Sequence, residues 1–333
     1  MLIVNLFSLK NTNGMYYYAL DYVKRGRGSV DRILVRSNLA ADVRREFPEL
    51  TVIECGLGTF IMNVMSAWVQ GAFFYAPTPH PLPLISRQLI VVHDPYPFFG
   101  RLGRLKKFLL RASLGSSRCL VGYINRSEAK EFVMGIGVAE SRQVFAPNYF
   151  PMMVNGFRKG RDEFLPRLKI GLVGTDSPKK NYEFLFDDVI TTGHPELFEF
   201  HIYGHRSAYL AGLTSRFGAI HHRLVESDRS DLAGFLEGVD VVVAVALNEG
   251  FGRPIAAALT AGVPCLLLDT RVFREFFDGA AEFETTIGGI VARLVRLQNG
   301  EGLKAVRFGV PASVTEAQNE IECLLDGASR KRR

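Results

Sequence analysis

Short runs of consecutive apolar, largely β-branched residues recur along the chain, each separated from the next by a helical stretch. A strand that is apolar without interruption is buried on both faces. The alternation therefore specifies a parallel sheet with helices packed on either side. Candidate strands fall at 2–7, 32–35, 51–54, 73–76, 89–92, 119–123 and 143–146, with helices beginning near Gly14, Ala40, Phe60, Leu102 and Arg126. The pattern breaks over 147–167, where Pro147, Pro151, Gly156, Gly160 and Pro166 sit among several charges and read as a connector. It restarts with strands at 168–173, 198–203, 239–246 and 264–268. Helices are expected at 180–190, 207–217, 231–236, 253–261, 285–298 and 314–325. The expected architecture is α/β, two Rossmann-like domains facing across a cleft. The divisions are 1–150, a linker over 151–167, a second domain over 168–310, and a C-terminal helix with a basic tail over 311–333.

Composition narrows the class. Hydrophobic residues make up 47% and charged residues 22% of 333 residues, which excludes disordered and fibrous chains. The four cysteines, Cys55, Cys119, Cys265 and Cys323, form no CxxC pair. That argues against a zinc ribbon or disulfide scaffold and for a reducing compartment. The first residues, MLIVNLFSLK, read as a strand rather than a signal peptide, so the expected location is cytoplasmic. Residues 55–86 carry no Asp, Glu, Lys or Arg, but Asn63, Gln70, His80 and several prolines interrupt them. They are expected to form a buried helix, a strand and a Pro-rich loop rather than a membrane span.

Charge is divided unequally. Residues 1–166 carry 21 Lys+Arg against 12 Asp+Glu, a net +9, and residues 167–333 carry 19 against 22, a net −3. The densest basic segment is Arg101, Arg104, Lys106, Lys107 and Arg111, interleaved with Leu102, Leu105, Phe108, Leu109 and Leu110. At helical spacing this is a basic amphipathic helix. It reads either as a solvated surface helix or as an attachment to an anionic surface, peripheral on the inner face of a membrane. No nucleic-acid-binding pattern accompanies the charge, so nucleic acid is not expected as a partner.

Open parallel sheets bind ligands at the carboxyl ends of their strands, so the loops there carry the chemistry. In Leu172-Val-Gly-Thr-Asp-Ser-Pro-Lys-Lys-Asn181 a strand ends at Gly174, a Ser-Pro turn follows, and Lys179 and Lys180 are expected to open the next helix. Cations at a helix start suit phosphate. In Asn248-Glu-Gly-Phe-Gly-Arg-Pro254, Gly250 and Gly252 let backbone approach a ligand, and Glu249 can accept hydrogen bonds from hydroxyls. His201-Ile-Tyr-Gly204 is a strand end with a close turn. In the first half, His93 and Asp94 end a strand, and Gly14 lies in the first β–α turn. Each motif also has an ordinary structural reading: a Pro turn with solvated lysines, a tight strand–helix turn, or a histidine held by local backbone. The first turn lacks GxGxxG, which disfavours a dinucleotide cofactor.

Glu249-Gly-Phe-Gly-Arg-Pro254, followed by Ala261-Gly-Val-Pro264, resembles the signature of the family 4 retaining glycosyltransferases, which have the GT-B fold. The loop 173–181 resembles that family's donor-phosphate loop. Ile202-Tyr-Gly204, Val91–Asp94, Phe145-Ala-Pro-Asn148 and Ser127-Glu128 resemble further family elements. The resemblance implies a nucleoside-diphosphate-sugar donor, a saccharide or lipid-linked hydroxyl acceptor, retention of configuration and no metal or other cofactor. Carried over by position, Lys180 contacts the donor diphosphate and Glu249 holds a sugar hydroxyl. His93 sits beside the sugar, and Gly14 passes the diphosphate. Gly174, Thr175, Lys179, Gly204, Gly250, Phe251, Gly252 and Arg253 form the donor cradle. The chain departs from the pattern at Ala257, where the family has a second Glu, at Thr175, where it has Arg, and at Val245-Ala246, where it has Pro-Ser. A rival reading follows from these departures: a catalytically degenerate GT-B protein that binds a sugar nucleotide or a partner protein.

Overall fold

Seven apolar runs of the first half form a parallel sheet: β1 (Leu2–Asn5), β2 (Val30–Val35), β3 (Val52–Glu54), β4 (Phe73–Ala76), β5 (Gln88–Val92), β6 (Cys119–Tyr123) and β7 (Gln143–Phe145). Their order is β3-β2-β1-β4-β5-β6-β7, and each pairing is parallel. The helices are α1 (Gly14–Arg25), α2 (Ser37–Glu46), α3 (Leu57–Val69), α4 (Gly103–Ser113) and α5 (Glu131–Gly135). The computed structural model describes residues 1–12, 14–82, 85–95, 98–99, 102–116, 118–151, 167–175, 177–227, 231–303 and 308–330. The linker expected at 151–167 therefore lies outside the described residues except for Pro151 and Arg167, as do Arg101 and the basic tail beyond Arg330.

A second sheet repeats the plan. Its strands are β8 (Leu168–Val173), β9 (Phe198–Gly204), β10 (His222–Glu226), β11 (Val241–Ala244), β12 (Cys265–Leu268) and β13 (Glu282–Glu284), in the order β10-β9-β8-β11-β12-β13. Around it lie α6 (Tyr182–Thr191), α7 (Ala208–Arg216), α8 (Leu232–Glu237), α9 (Arg253–Thr260), α10 (Arg271–Phe277) and α11 (Ile287–Gln298). Several starts are capped by side chains: Ser207 accepts from Leu210 N, Asp231 from Gly234 N, Thr270 from Phe273 N and Thr286 from Gly289 N. Such caps satisfy amides that the first turn leaves unpaired. The core is aliphatic and aromatic, with Phe186, Phe198, Phe200 and Leu266 fully buried. Each such side chain contributes about 1.5–3 kcal/mol through burial.

The chain divides into Met1–Tyr149 with Pro311–Arg333, and Phe150–Val310. The last helix, α12 (Ala312–Arg330), thus completes the first unit rather than standing apart. Val314, Ile321 and Leu325 on its inner face are buried. Gln318 Nε2 donates to Asn148 O at 2.8 Å, the Tyr149 hydroxyl donates to Glu322, and Ser29 Oγ donates to Asp326 Oδ1 at 2.5 Å. Phe150 belongs to the second unit because its ring packs on Phe251 and Phe308.

One expectation is corrected. α3 is not a buried helix. Val64 and Ala67 pack inward, while Leu57, Ile61, Met62, Met65, Trp68 and Val69 are exposed, because the sheet covers only one of its faces. Among the described residues no helix is long and apolar enough to cross a membrane.

Candidate active site

In the second sheet the chain runs β8-β9-β10 in one direction and then β11-β12-β13 in the other. The order reverses between β8 and β11, and such a reversal opens a crevice at the strands' carboxyl ends. The two loops that leave these strands are the segments 172–181 and 248–254 singled out from the sequence, so topology alone brings them together.

The first loop turns at Gly174, whose φ of 100° is left-handed. Ser177 Oγ accepts from Lys179 N at 3.3 Å and starts a single 3-10 turn, Pro178–Lys180. Lys179 and Lys180 therefore precede the next helix instead of opening it. Asn181, left-handed at φ 63°, separates that turn from α6. Its side chain donates to Val245 O at 3.2 Å, which ties the first loop to the end of β11. Asn tolerates the left-handed region better than most residues, and that was the sequence signal for this tie.

In the second loop Gly252, at φ 90°, is the N-cap of α9. A Cβ there would lie 2.9 Å from Ile255 Cδ1. Phe251 is only 3% exposed, edge-on to Phe150 at 5.0 Å and Phe276 at 4.8 Å. Its side chain anchors the loop from beneath and leaves the backbone as the part available to a ligand. Gly250 and Arg253 flank it, both partly exposed.

The loops meet through Lys180 and Glu249. Lys180 Nζ lies 2.5 Å from Glu249 Oε1, with both side chains about one-fifth exposed. Beneath the pair is a cavity of ≈ 20 Å³ walled by Val173, Tyr182, Pro254, Ile255 and Phe273. That is room for about one water. The ion pair closes over an apolar floor. Among the described residues no group of three or more His, Cys, Asp or Glu is placed to hold a metal ion.

Thr175 stands beside this pair without facing it. It is 3% exposed, and its hydroxyl donates to His205 O at 2.6 Å. Gly204 makes room for it: a Cβ at 204 would lie 2.6 Å from Thr175 Cγ2. Ser207, the cap of α7, donates to Thr175 O. Thr175 thus joins the loops after β8 and β9. Ala257, on α9, is fully buried.

His93 and Gly14 belong to the first unit. His93 follows β5, is 8% exposed, and lies 2.9 Å through Nε2 from Pro77 O. A carbonyl only accepts, so Nε2 carries the proton. The ring sits edge-on to Tyr18 at 4.5 Å. Gly14 opens α1 and is exposed, with nothing within 4 Å of where a Cβ would stand.

Residues 167–297, the heart of this second unit, match the family model Glycosyl transferases group 1. The fold is that of the GT-B glycosyltransferases. WaaG, described as a glycosyltransferase involved in lipopolysaccharide biosynthesis, superposes with a TM-score of 0.66 at 9% identity, over 100% of this chain and 96% of its own. The sucrose-phosphate synthase of Thermosynechococcus elongatus gives 0.63 at 12% identity, over 99% and 96%. TarM of S. aureus, solved with UDP, gives 0.56 at 13% identity over 82% of this chain. This chain spans only 55% of TarM's length. The sequence search finds no match among curated proteins.

Proposed function

We propose that the chain is a retaining hexosyltransferase. It moves a sugar from a nucleoside-diphosphate donor to a hydroxyl of a saccharide acceptor, free or lipid-linked, at the inner face of a membrane. The observation that carries this reading is the Lys180–Glu249 pair at the sheet's switch point, inside the segment that matches the glycosyltransferase model. The involvement of WaaG in lipopolysaccharide biosynthesis supports a saccharide acceptor.

The chemistry follows from the charges. As the glycosidic bond to the diphosphate breaks, negative charge grows on the leaving oxygen and positive charge on the anomeric carbon. On donor binding Lys180 leaves Glu249 for the diphosphate and stabilises the first of these. A preorganised cation in a site with an apolar floor is worth more than one in water. Glu249, released, accepts from a sugar hydroxyl. The amides from Gly250 to Gly252 face sugar and phosphate. With retention, the departing phosphate takes the acceptor's proton, so no pair of carboxylates is required. No step uses a metal.

The second reading, a catalytically degenerate protein that binds a sugar nucleotide or a partner, draws on Thr175 and Ala257. Both side chains are buried. A donor-hydrolysis and transfer screen over UDP-, GDP- and ADP-sugars separates the two. Turnover with one donor, lowered about a hundredfold in a folded Lys180→Ala variant, supports the transferase. Donor binding without turnover supports the second reading. Proton NMR of the product's anomeric signal tests retention.

A further inference from the structure

Between Cys55 and Ser127 the sequence holds eight Lys+Arg and a single acid, Asp94. Two helices of that stretch present apolar side chains to the outside. On α3 these are Leu57, Ile61, Met62, Met65, Trp68 and Val69, with Met62 at 73% and Val69 at 77% exposure, and the helix has no charged residue at all. A surface helix ordinarily turns a charged face to water, and a contiguous apolar patch of this kind marks an interaction surface. On α4, Leu105 and Phe108 are exposed between Arg104, Lys106, Lys107 and Arg111. Lys107 Nζ lies 5.1 Å above the ring of exposed Phe99.

The two faces lie on the same side of the first sheet. The crossovers β3-α3-β4 and β5-α4-β6 run in the same direction along the strand order, and right-handed crossovers in one direction place their helices on one side. Local contacts agree. Ile85 packs in the cluster of Val64 and Ala67 of α3, and the next residue, Ser86, accepts at its carbonyl from Ser116 Oγ, just past α4, at 2.7 Å.

We infer that this face docks on an anionic lipid bilayer, with α3 embedded among the acyl chains just below the headgroups and the cations of α4 at the phosphates. An uncharged wedge beside a row of cations matches the layering of a bilayer surface, apolar below and anionic above. A second copy of this chain would bring its own cations against these. The inference rests on the two exposed faces and not on the transferase reading.

Trp68, the only tryptophan, sits on the wedge and reports on it directly. Vesicles of phosphatidylcholine with phosphatidylglycerol should shift its emission to the blue, and brominated lipid should quench it. Phosphatidylcholine alone, or high salt, should weaken both effects. Met62→Asp and Val69→Asp should each lower the vesicle partition coefficient about tenfold. Lys106→Gln with Lys107→Gln should lower it about fivefold per charge on anionic vesicles. Far-UV circular dichroism checks folding, with Met62→Gln as a milder variant. Donor hydrolysis without vesicles, which should be unchanged in these variants, keeps the result separate from the fate of the transferase reading. No blue shift or quenching with anionic vesicles would overturn the inference. So would unaltered partitioning of the Asp variants, or a lipid-free blue shift that grows with protein concentration as light scattering reports a dimer.

Discussion

Lys180 lies across Gly174: a Cβ on residue 174 would stand 2.8 Å from Lys180 Cε. The left-handed glycine and the cation that closes the site are thus one device, in which the missing side chain is the space the lysine occupies. Gly174→Ala forces a side chain into the left-handed region and pushes the lysine aside. A stability loss of about 1–3 kcal/mol is expected, with donor turnover falling further than the melting temperature alone explains. A variant equally stable and equally active would show that neither the turn nor the lysine's path matters.

The Lys180–Glu249 pair should be measurable as a coupling that the donor removes. In a double-mutant cycle with Lys180→Ala and Glu249→Ala, urea unfolding of the ligand-free protein should give about 1 kcal/mol, modest because both side chains touch water. With saturating donor the coupling should vanish, each charge having found another partner. By calorimetry Glu249→Ala should weaken binding of the intact donor more than binding of the nucleoside diphosphate.

Ala257→Glu restores a carboxylate at a position that is fully buried. Without a partner it should lower stability by about 1–3 kcal/mol. If the ribose of the donor meets that carboxylate, saturating donor should raise the variant's melting temperature by more than it raises the wild type's. Equal shifts would mean that the ribose lies elsewhere.

The first unit should be sensitive to alkali. Burial pushes the phenols of Tyr18, Tyr22 and Tyr75 well above the usual tyrosine range and that of Tyr16 up to about 12. Tyr149 is raised by burial and by Glu322. In the unfolded chain these groups ionise near pH 10, so above that pH the unfolded state binds fewer protons. Stability is then complete below pH 10 and falls as pH rises, by about 1.4 kcal/mol per pH unit for each fully buried phenol. Urea midpoints followed through Trp68 at pH 9, 10 and 11, with absorbance at 295 nm, check both sign and window.

The parallel sheets were legible because their central strands are uninterrupted apolar runs such as Val241-Val-Val-Ala. The strands missed were β10, with sequence HRLVE, and β13, EFE, both at edges of the second sheet, where polar residues protect the open side and erase the signal. α10, RVFREFF, was missed as well, being short and nearly all aromatic or charged, although its Phe273 walls the cavity. At the site, residue types could be read from the motifs, but pairing could not. That Lys180 finds Glu249, and that Thr175 turns inward to His205, depend on a left-handed asparagine and two glycines whose conformations only the folded backbone fixes.

The return of α12 to the first unit bears on how the protein is made. On the ribosome the strands β1 to β7 emerge first, yet Tyr149, Asn148 and Ser29 wait for partners encoded beyond the whole of Phe150–Val310. At about 5–20 residues per second, the second unit has time to complete its own sheet while the first still lacks α12. A premature stop just before α12 would therefore damage the earliest part of the chain rather than the latest.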